Sequence, residues 1–261
     1  MNRHRIRILA LYPEELNIYA DRGNLLFLRQ RAAWRGIEVT ISGCGVGQAF
    51  DPDGVDLIYV GGGQDRDQQM VGEDLLESKA DAVRAFTLAG GPLLAVCGGF
   101  QLLGRSWSIA GGELEGLGIF AVRTERGAGK RLIGPVAIEA RVGGHELTVA
   151  GFENHAGRTY LDPGATPFGT VVCGNGNNGS DRTEGARSGN AIGTYLHGPL
   201  LPKNFLLADL LLATALDRDE PRPEKLATLD DGLEELAHQQ ALEAALRSRS
   251  NRSRRFRARS R

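Results

Sequence analysis

One cysteine in this chain stands where a thiol could be made to react. Cys97 follows the apolar run PLLAV (92–96) and precedes Gly98-Gly99 and then FQLLG, the order of a strand, a sharp turn and a helix start. A side chain at such a turn is pushed beyond the carboxyl edge of a sheet, where α/β proteins bind ligands. The turn packs tightly and needs small neighbours, which Gly98 and Gly99 supply. A free thiol titrates near about 8.5, and the positive end of a helix favours the thiolate that attacks. The backbone N–H of Gly98 points toward the oxygen of a carbonyl under attack, as half of an oxyanion hole. Cys44 and Cys173 lack this setting and read as inert buried thiols.

A thiol nucleophile needs a base. Of the five histidines, His4 is terminal, His145 follows Gly143-Gly144 in a hairpin turn, and His238 lies on a polar helix. Two remain. His197 ends the strand-like AIGTYL (191–196) and precedes Gly198-Pro199, whereas His155 sits in the polar GFENHAGRTY beside Glu153 and Asn154. Spacing alone gives His197 only a modest advantage.

These groups need a scaffold, and 261 residues suffice for one large α/β domain or two small ones. IRILAL (6–11), IEVTIS (37–42), VDLIYV (55–60) and PLLAV read as buried strands. Helical segments fall between them, starting at Leu25 and ending at Gly36, and spanning 68–89 before Gly90-Gly91-Pro92. FQLLGRSW continues the pattern as a helix. The alternation predicts a mostly parallel central sheet flanked by helices. From about residue 113 short runs with glycine turns take over, GIFAVR, LIGPVAIEARV, ELTVAGF and FGTVVCG, and these predict antiparallel strands appended to the sheet. KNFLLADLLLATAL (203–216) reads as an amphipathic helix, GNGNNGSDRTEGARSGN (174–190) as a surface loop, and DGLEELAHQQALEAALRS as a last helix.

Composition narrows the class. No stretch approaches the roughly 18–20 apolar residues of a membrane span, and the short apolar run after MNRHR meets Pro13-Glu14-Glu15, which argues against a signal peptide. Three widely spaced cysteines make neither a disulfide framework nor a zinc knuckle, no metal is expected, and the compartment expected is the reducing cytoplasm. Net charge is −1, but RSRSNRSRRFRARSR (247–261) holds 8 arginines, leaving 23 basic against 32 acidic residues in the body. The sequence therefore divides into a folded domain, 1–246, and a disordered arginine-rich tail, 247–261. The tail reads as a solvated segment, with no nucleic-acid partner expected, although contact with an anionic membrane surface is open to it.

VCGGFQLLG resembles the nucleophile elbow of class I glutamine amidotransferases, in the cobyric acid synthase-like branch. ADRGNLLFLRQRA, VGGGQDRDQ, GFENHAGRTYL and GTYLHGPLLPKN sharpen the likeness, from about residue 6 to 210, to the GatD subunits of lipid II isoglutaminyl synthase. The resemblance implies the fold of that superfamily and a glutaminase in which Cys97 attacks the glutamine side-chain amide and His197 is the base. It implies an oxyanion hole completed from Gly62 or Gly63 together with Gly98. Arg131, in TERGAGKRLIG, matches the arginine that holds the glutamine, a role suited to a guanidinium's two-pronged grip on the α-carboxylate.

Many class I amidotransferases place an acid two residues after the histidine; here that position is Pro199. A dyad working unaided, another acid such as Glu153, or a carboxylate lent by a partner are the alternatives. The resemblance implies the last, with a MurT-type ligase forming a heterodimer. That partner would carry ATP and Mg, engage lipid II and amidate its D-glutamate, and no cofactor is expected in this chain. GGGQD indeed stands where a Walker motif would need GKS or GKT. The rival readings are a cobyrinate-type amidotransferase and a non-catalytic partner-binding module.

Overall fold

The computed structural model describes residues 5–16, 22–63, 65–109 and 112–259. The four apolar runs of the first half become parallel neighbours. β1 (Arg5–Leu11), β2 (Glu38–Cys44), β3 (Leu57–Val60) and β4 (Leu93–Val96) share one sheet, and β3 and β4 are buried throughout. Strands covered on both faces have no polar side to keep wet, so their sequences need not alternate. The helices between them are α1 (Arg22–Ala33), α2 (Asp65–Asp74), α3 (Ala80–Leu88) and the short α4 (Gly98–Leu102). The segment 68–89, which reads as one helix, is two, joined by a π-helical turn at Leu75–Lys79.

The second half supplies β5 (Ser106–Ile109), β6 (Gly112–Glu115), β7 (Val122–Arg126), β8 (Leu132–Val142), β9 (His145–His155) and β10 (Gly157–Leu161). It continues through β11 (Gly169–Cys173), β12 (Thr183–Glu184), β13 (Ala186–Ser188) and β14 (Ala191–Thr194). Most of these strands are not appended to the main sheet. They form two sheets of their own, β10-β7-β5-β6 and β12-β11-β8-β9, and only β13 and β14 join the first, giving β13-β14-β4-β3-β1-β2. β14 runs parallel to β4 with Thr194 opposite Val96, which puts residues 195–197 beside Cys97 at one sheet edge.

Three local readings are corrected. The helix after Cys97 ends at Leu102 rather than running through FQLLGRSW. The Arg105 N–H donates to Val122 O at 2.8 Å, turning the chain into β5 alongside β7. Residues 174–190 are no surface loop: Asn177, Glu184 and Ala186 are buried. The Asn177 side chain donates to Gly185 O (3.0 Å) and accepts from Gly185 N–H (2.8 Å), so a side-chain amide meets backbone demands that water would otherwise meet. Helix α5 (Phe205–Leu216) is buried nearly all round rather than amphipathic. Its one carboxylate, Asp209, is neutralised by Arg31 (2.7 Å) and Arg35 (2.8 Å).

Helix α6 (Gly232–Arg259) lays Leu242 and Ala245 against Ala137 and Cys173. It passes residue 247 without a break, where the sequence reading expects order to end; the side chains from residue 249 onward lie outside those described. Among the described residues no helix is long and apolar enough to cross a membrane.

Candidate active site

Cys97 sits on strained backbone. Its φ of 52° and ψ of −104° fall in a region that non-glycine residues occupy at a cost of about 1–3 kcal/mol, a cost met by surrounding contacts. The Cys97 N–H donates to Thr194 O at 2.8 Å, and the Gly99 N–H donates to Gly61 O at 3.1 Å. The two glycines are sterically required. A Cβ on Gly99 would lie 2.8 Å from both Gly61 O and Val60 O, and one on Gly98 would lie 2.6 Å from Gln68 Nε2 and 2.8 Å from Gly63 N. The same closeness sets the backbone of Gly63 against that of Gly98, and Gln68 donates to Gly63 O at 3.2 Å, steadying that peptide. Of the two glycines named for the oxyanion hole beside Gly98, Gly63 faces the cavity at Cys97, and Gly62 is buried but not among the residues lining it.

His197 is delivered by long-range contacts. It pairs with Phe152 of β9, each backbone N–H donating to the other's carbonyl, at 3.0 and 3.2 Å. Lys203 Nζ donates to Gly198 O at 2.6 Å, holding the residue just after it. Burial pushes the His197 imidazole down to about 4, and the nearby charges of Arg131 and Lys203 add to the shift. The ring is therefore neutral at physiological pH and able to accept a proton from a thiol. Glu153, the acid considered from sequence, is buried, and its carboxylate accepts the N–H groups of Asn175 and Gly176, both at 2.9 Å.

A cavity of about 240 Å³ opens at Cys97, and Gln101, Arg126, Arg131 and His155 also line it. His197 does not line it. Arg131 lies just before β8 and grips Asn154 through Nε to Oδ1 (2.9 Å) and a terminal nitrogen to the backbone oxygen (2.8 Å). That grip orients the guanidinium while leaving it donors for a ligand. A larger cavity of about 340 Å³ lies by Leu11, Tyr59 and Gly61, but none of the cysteines or histidines lines it.

Two supports escaped the sequence reading. Glu184, in the segment read as a loop, accepts the Tyr195 N–H at 2.7 Å and the Thr194 hydroxyl at 3.1 Å, and burial pushes its carboxyl up to about 8. It thereby pins the chain between the Cys97 acceptor, Thr194 O, and His197. Tyr195 is the second: its hydroxyl meets Thr159 (2.6 Å) and Gln101 (3.0 Å), and its ring stacks on His155. The only sequence signal for either was the position of Tyr195 within GTYLHGP.

A thiol on a strained strand-to-helix turn at the edge of a parallel sheet, with a buried neutral histidine just past the end of the neighbouring strand, defines a class. Residues 7–205 match the CobB/CobQ-like glutamine amidotransferase domain, and the chain belongs to that family. Its fold is that of the class I glutamine amidotransferases. Within the family it is 39% identical, over 95% of its own length and all of the relative, to the subunit GatD of the glutamine-hydrolysing lipid II isoglutaminyl synthase of Staphylococcus aureus. The corresponding subunit of Streptococcus pneumoniae is 37% identical over 87% of each chain. Cobyric acid synthase of Chlorobaculum tepidum is 34% identical, over 59% of this chain and 28% of that one. The structure of PurLQS from Thermotoga maritima shares the fold, with TM-score 0.52 and 17% identity over 84% of this chain and 96% of that one.

Proposed function

We propose that this chain is the glutamine-hydrolysing subunit of a lipid II isoglutaminyl synthase, supplying ammonia to a MurT-type ligase that amidates the D-glutamate α-carboxylate of lipid II. The observation that carries this reading is similarity over most of the chain to two GatD subunits, combined with the strained elbow that presents Cys97. Cys97 sulfur attacks the side-chain amide carbon while its proton passes to the neutral imidazole of His197. The oxyanion forms against the Gly98 and Gly63 N–H groups; removing one such donor typically costs about 100- to 1000-fold in rate. As the C–N bond breaks, His197 returns the proton to the leaving nitrogen, which departs as ammonia. Water then attacks the thioester, glutamate leaves and the thiol is restored. Arg131 holds the α-carboxylate.

Pro199 leaves no acid at the usual place after His197, and Glu153 holds the turn at Asn175 and Gly176. A partner carboxylate is the reading favoured for orienting His197, and it would couple ammonia release to assembly. The reading assigns the complex to the cytoplasm, where glutamine and ATP are abundant. The cobyrinate alternative is weaker, because the cobyric acid synthase matched covers little more than half of this chain.

The test is glutamate release from L-glutamine by the protein alone and with a MurT-type ligase. Wild type is compared with Cys97→Ala, His197→Ala and Arg131→Ala. The reading expects loss of at least about 1000-fold for Cys97→Ala, and for Arg131→Ala a KM raised about 10- to 100-fold with kcat little changed. It also expects a strong rise with the partner. No glutamate release by folded protein in the assembled complex would overturn the reading.

A further inference from the structure

The cavity at Cys97 has a lopsided charge. Among the described residues two guanidiniums, Arg126 and Arg131, line it, and no carboxylate does. Such a lining suits the α-carboxylate of an amino acid but offers its α-ammonium no anionic partner. Among the described lining residues, the groups that could receive the ammonium are neutral acceptors.

His155 is built to be that acceptor. It ends β9, one residue after the Asn154 that orients Arg131, and its ring is stacked on Tyr195 with centroids 3.7 Å apart and planes 7° from parallel. Tyr195 is itself held by Gln101 and Thr159, so the imidazole has little freedom to turn. Nδ1 lies 2.9 Å from Gly157 O. A carbonyl oxygen only accepts, so Nδ1 carries the hydrogen. The neutral ring then bears its lone pair on Nε2. Burial, with the charges of Arg158 and Arg131, pushes this histidine down to about 4, so the lone pair stays available at physiological pH. Nε2 is buried, in a residue lining the cavity, and has no hydrogen-bond partner among the described residues. Buried acceptors are nearly always satisfied, and one left open beside a binding cavity points to a ligand.

We propose that His155 Nε2 receives the α-ammonium of the amino-acid substrate while Arg131 takes its α-carboxylate, making His155 a specificity-determining residue. One carbon separates those two groups in any α-amino acid, so an acceptor beside the Arg131–Asn154 pair is where the ammonium falls. The inference rests on the glutaminase reading above and adds to it the group that distinguishes glutamine from other primary amides.

The experiment compares L-glutamine with glutaramic acid, which has the same amide and carboxylate but no amino group, in wild type, His155→Phe and His155→Gln. Phenylalanine keeps a ring against Tyr195 without an acceptor, and glutamine places an amide oxygen near the position of Nε2. The expected result with His155→Phe is a fall of about 10- to 100-fold in kcat/KM for L-glutamine, mostly in KM, with glutaramic acid changed less than about threefold. His155→Gln should recover most of the lost discrimination, and the alkylation rate of Cys97 by iodoacetamide should stay within about twofold in both variants. Equal falls on both substrates would make His155 a base or a packing residue and overturn the proposal, as would no change on either. If wild type hydrolyses neither compound, the glutaminase reading fails. Calorimetric binding of L-glutamine and glutaramic acid to Cys97→Ser, with and without His155→Phe, then still reads the ammonium contact, and equal affinities throughout would overturn it.

Discussion

The Cys97 elbow and the His197 loop end neighbouring strands of one sheet, yet different forces hold them. The elbow is a local object. Val60, Gly61, Gly63, Gly98 and Gly99 crowd one another so closely that no Cβ fits at either residue after the nucleophile, and the backbone at Cys97 is forced to a φ of 52°. The His197 loop is assembled from distant pieces: Phe152 on β9, Lys203 and Asn204 ahead of α5, and Glu184 behind Tyr195. One region stores backbone strain and the other depends on polar contacts across long sequence separations. A local site announces itself in a short motif, whereas an assembled one does so only through residues that are unremarkable in isolation.

Relieving the strain gives the largest contrast. Cys97→Gly should abolish glutamate release, a loss of at least about 1000-fold, while raising stability to denaturant by about 1 kcal/mol, because glycine adopts positive φ without steric cost. Cys97→Ala should lose the same activity without the gain, since alanine keeps the Cβ. Urea melts of the three proteins check this. Equal stability of the glycine and alanine variants would mean that the elbow holds no strain.

The next test separates the regions by pH. His155 and His197 titrate near 4 when folded and near about 6.5 when unfolded. Between those values the unfolded chain binds more protons, so stability should fall as pH drops through this window, by up to about 3 kcal/mol per histidine. Glu184 has the opposite sign. Its folded value of about 8 exceeds the unfolded value of 4.5, so its contribution is full below the unfolded value and is lost as pH rises from there through 8. The three together place the maximum near pH 6.5. Glu184→Gln should flatten the alkaline side and steepen the acid side above about pH 4.5 in melts from pH 4 to 9, because Glu184 opposes the two histidines there; an unchanged alkaline limb would show that Glu184 is not held protonated.

This division also governs what could be read from sequence. The parallel strands and the turn at Cys97 were legible because apolar runs, glycines and a cysteine between them are local signals. Arg131 and the choice of His197 over His155 came through family resemblance, since nothing local distinguishes them. The segment 174–190 misled because asparagines and glycines read as exposed loop, whereas Asn177 is buried by bonds to Gly185 within the same segment and Glu184 by bonds to Thr194 and Tyr195 at the end of β14. Helix α5 read as amphipathic because Asp209 interrupts its leucines, and only the fold brings Arg31 and Arg35 to that carboxylate.

The smallest effect expected bears most directly on the assembled region. Asn204 is a single side chain that closes the His197 loop: its oxygen accepts the Ala150 N–H at 2.8 Å, and its nitrogen donates to Ala150 O and Leu200 O, both at 2.7 Å. Asn204→Ala would leave those backbone groups buried without their partner, at a cost of about 2 kcal/mol, within the usual range for an orphaned buried polar group. Residue 150 is two positions before Phe152, which pairs with His197, so the loosening falls on the histidine rather than on the elbow. Glutamate release should drop about 3- to 10-fold, while the alkylation rate of Cys97 by iodoacetamide changes by less than about twofold. Equal losses in both would mean that elbow and loop form one mechanical unit, and the contrast between local strain and assembled contacts would have to be abandoned. A loss confined to turnover would establish that the nucleophile is preformed and that the histidine's position is the adjustable part of the site, the part on which a partner could act.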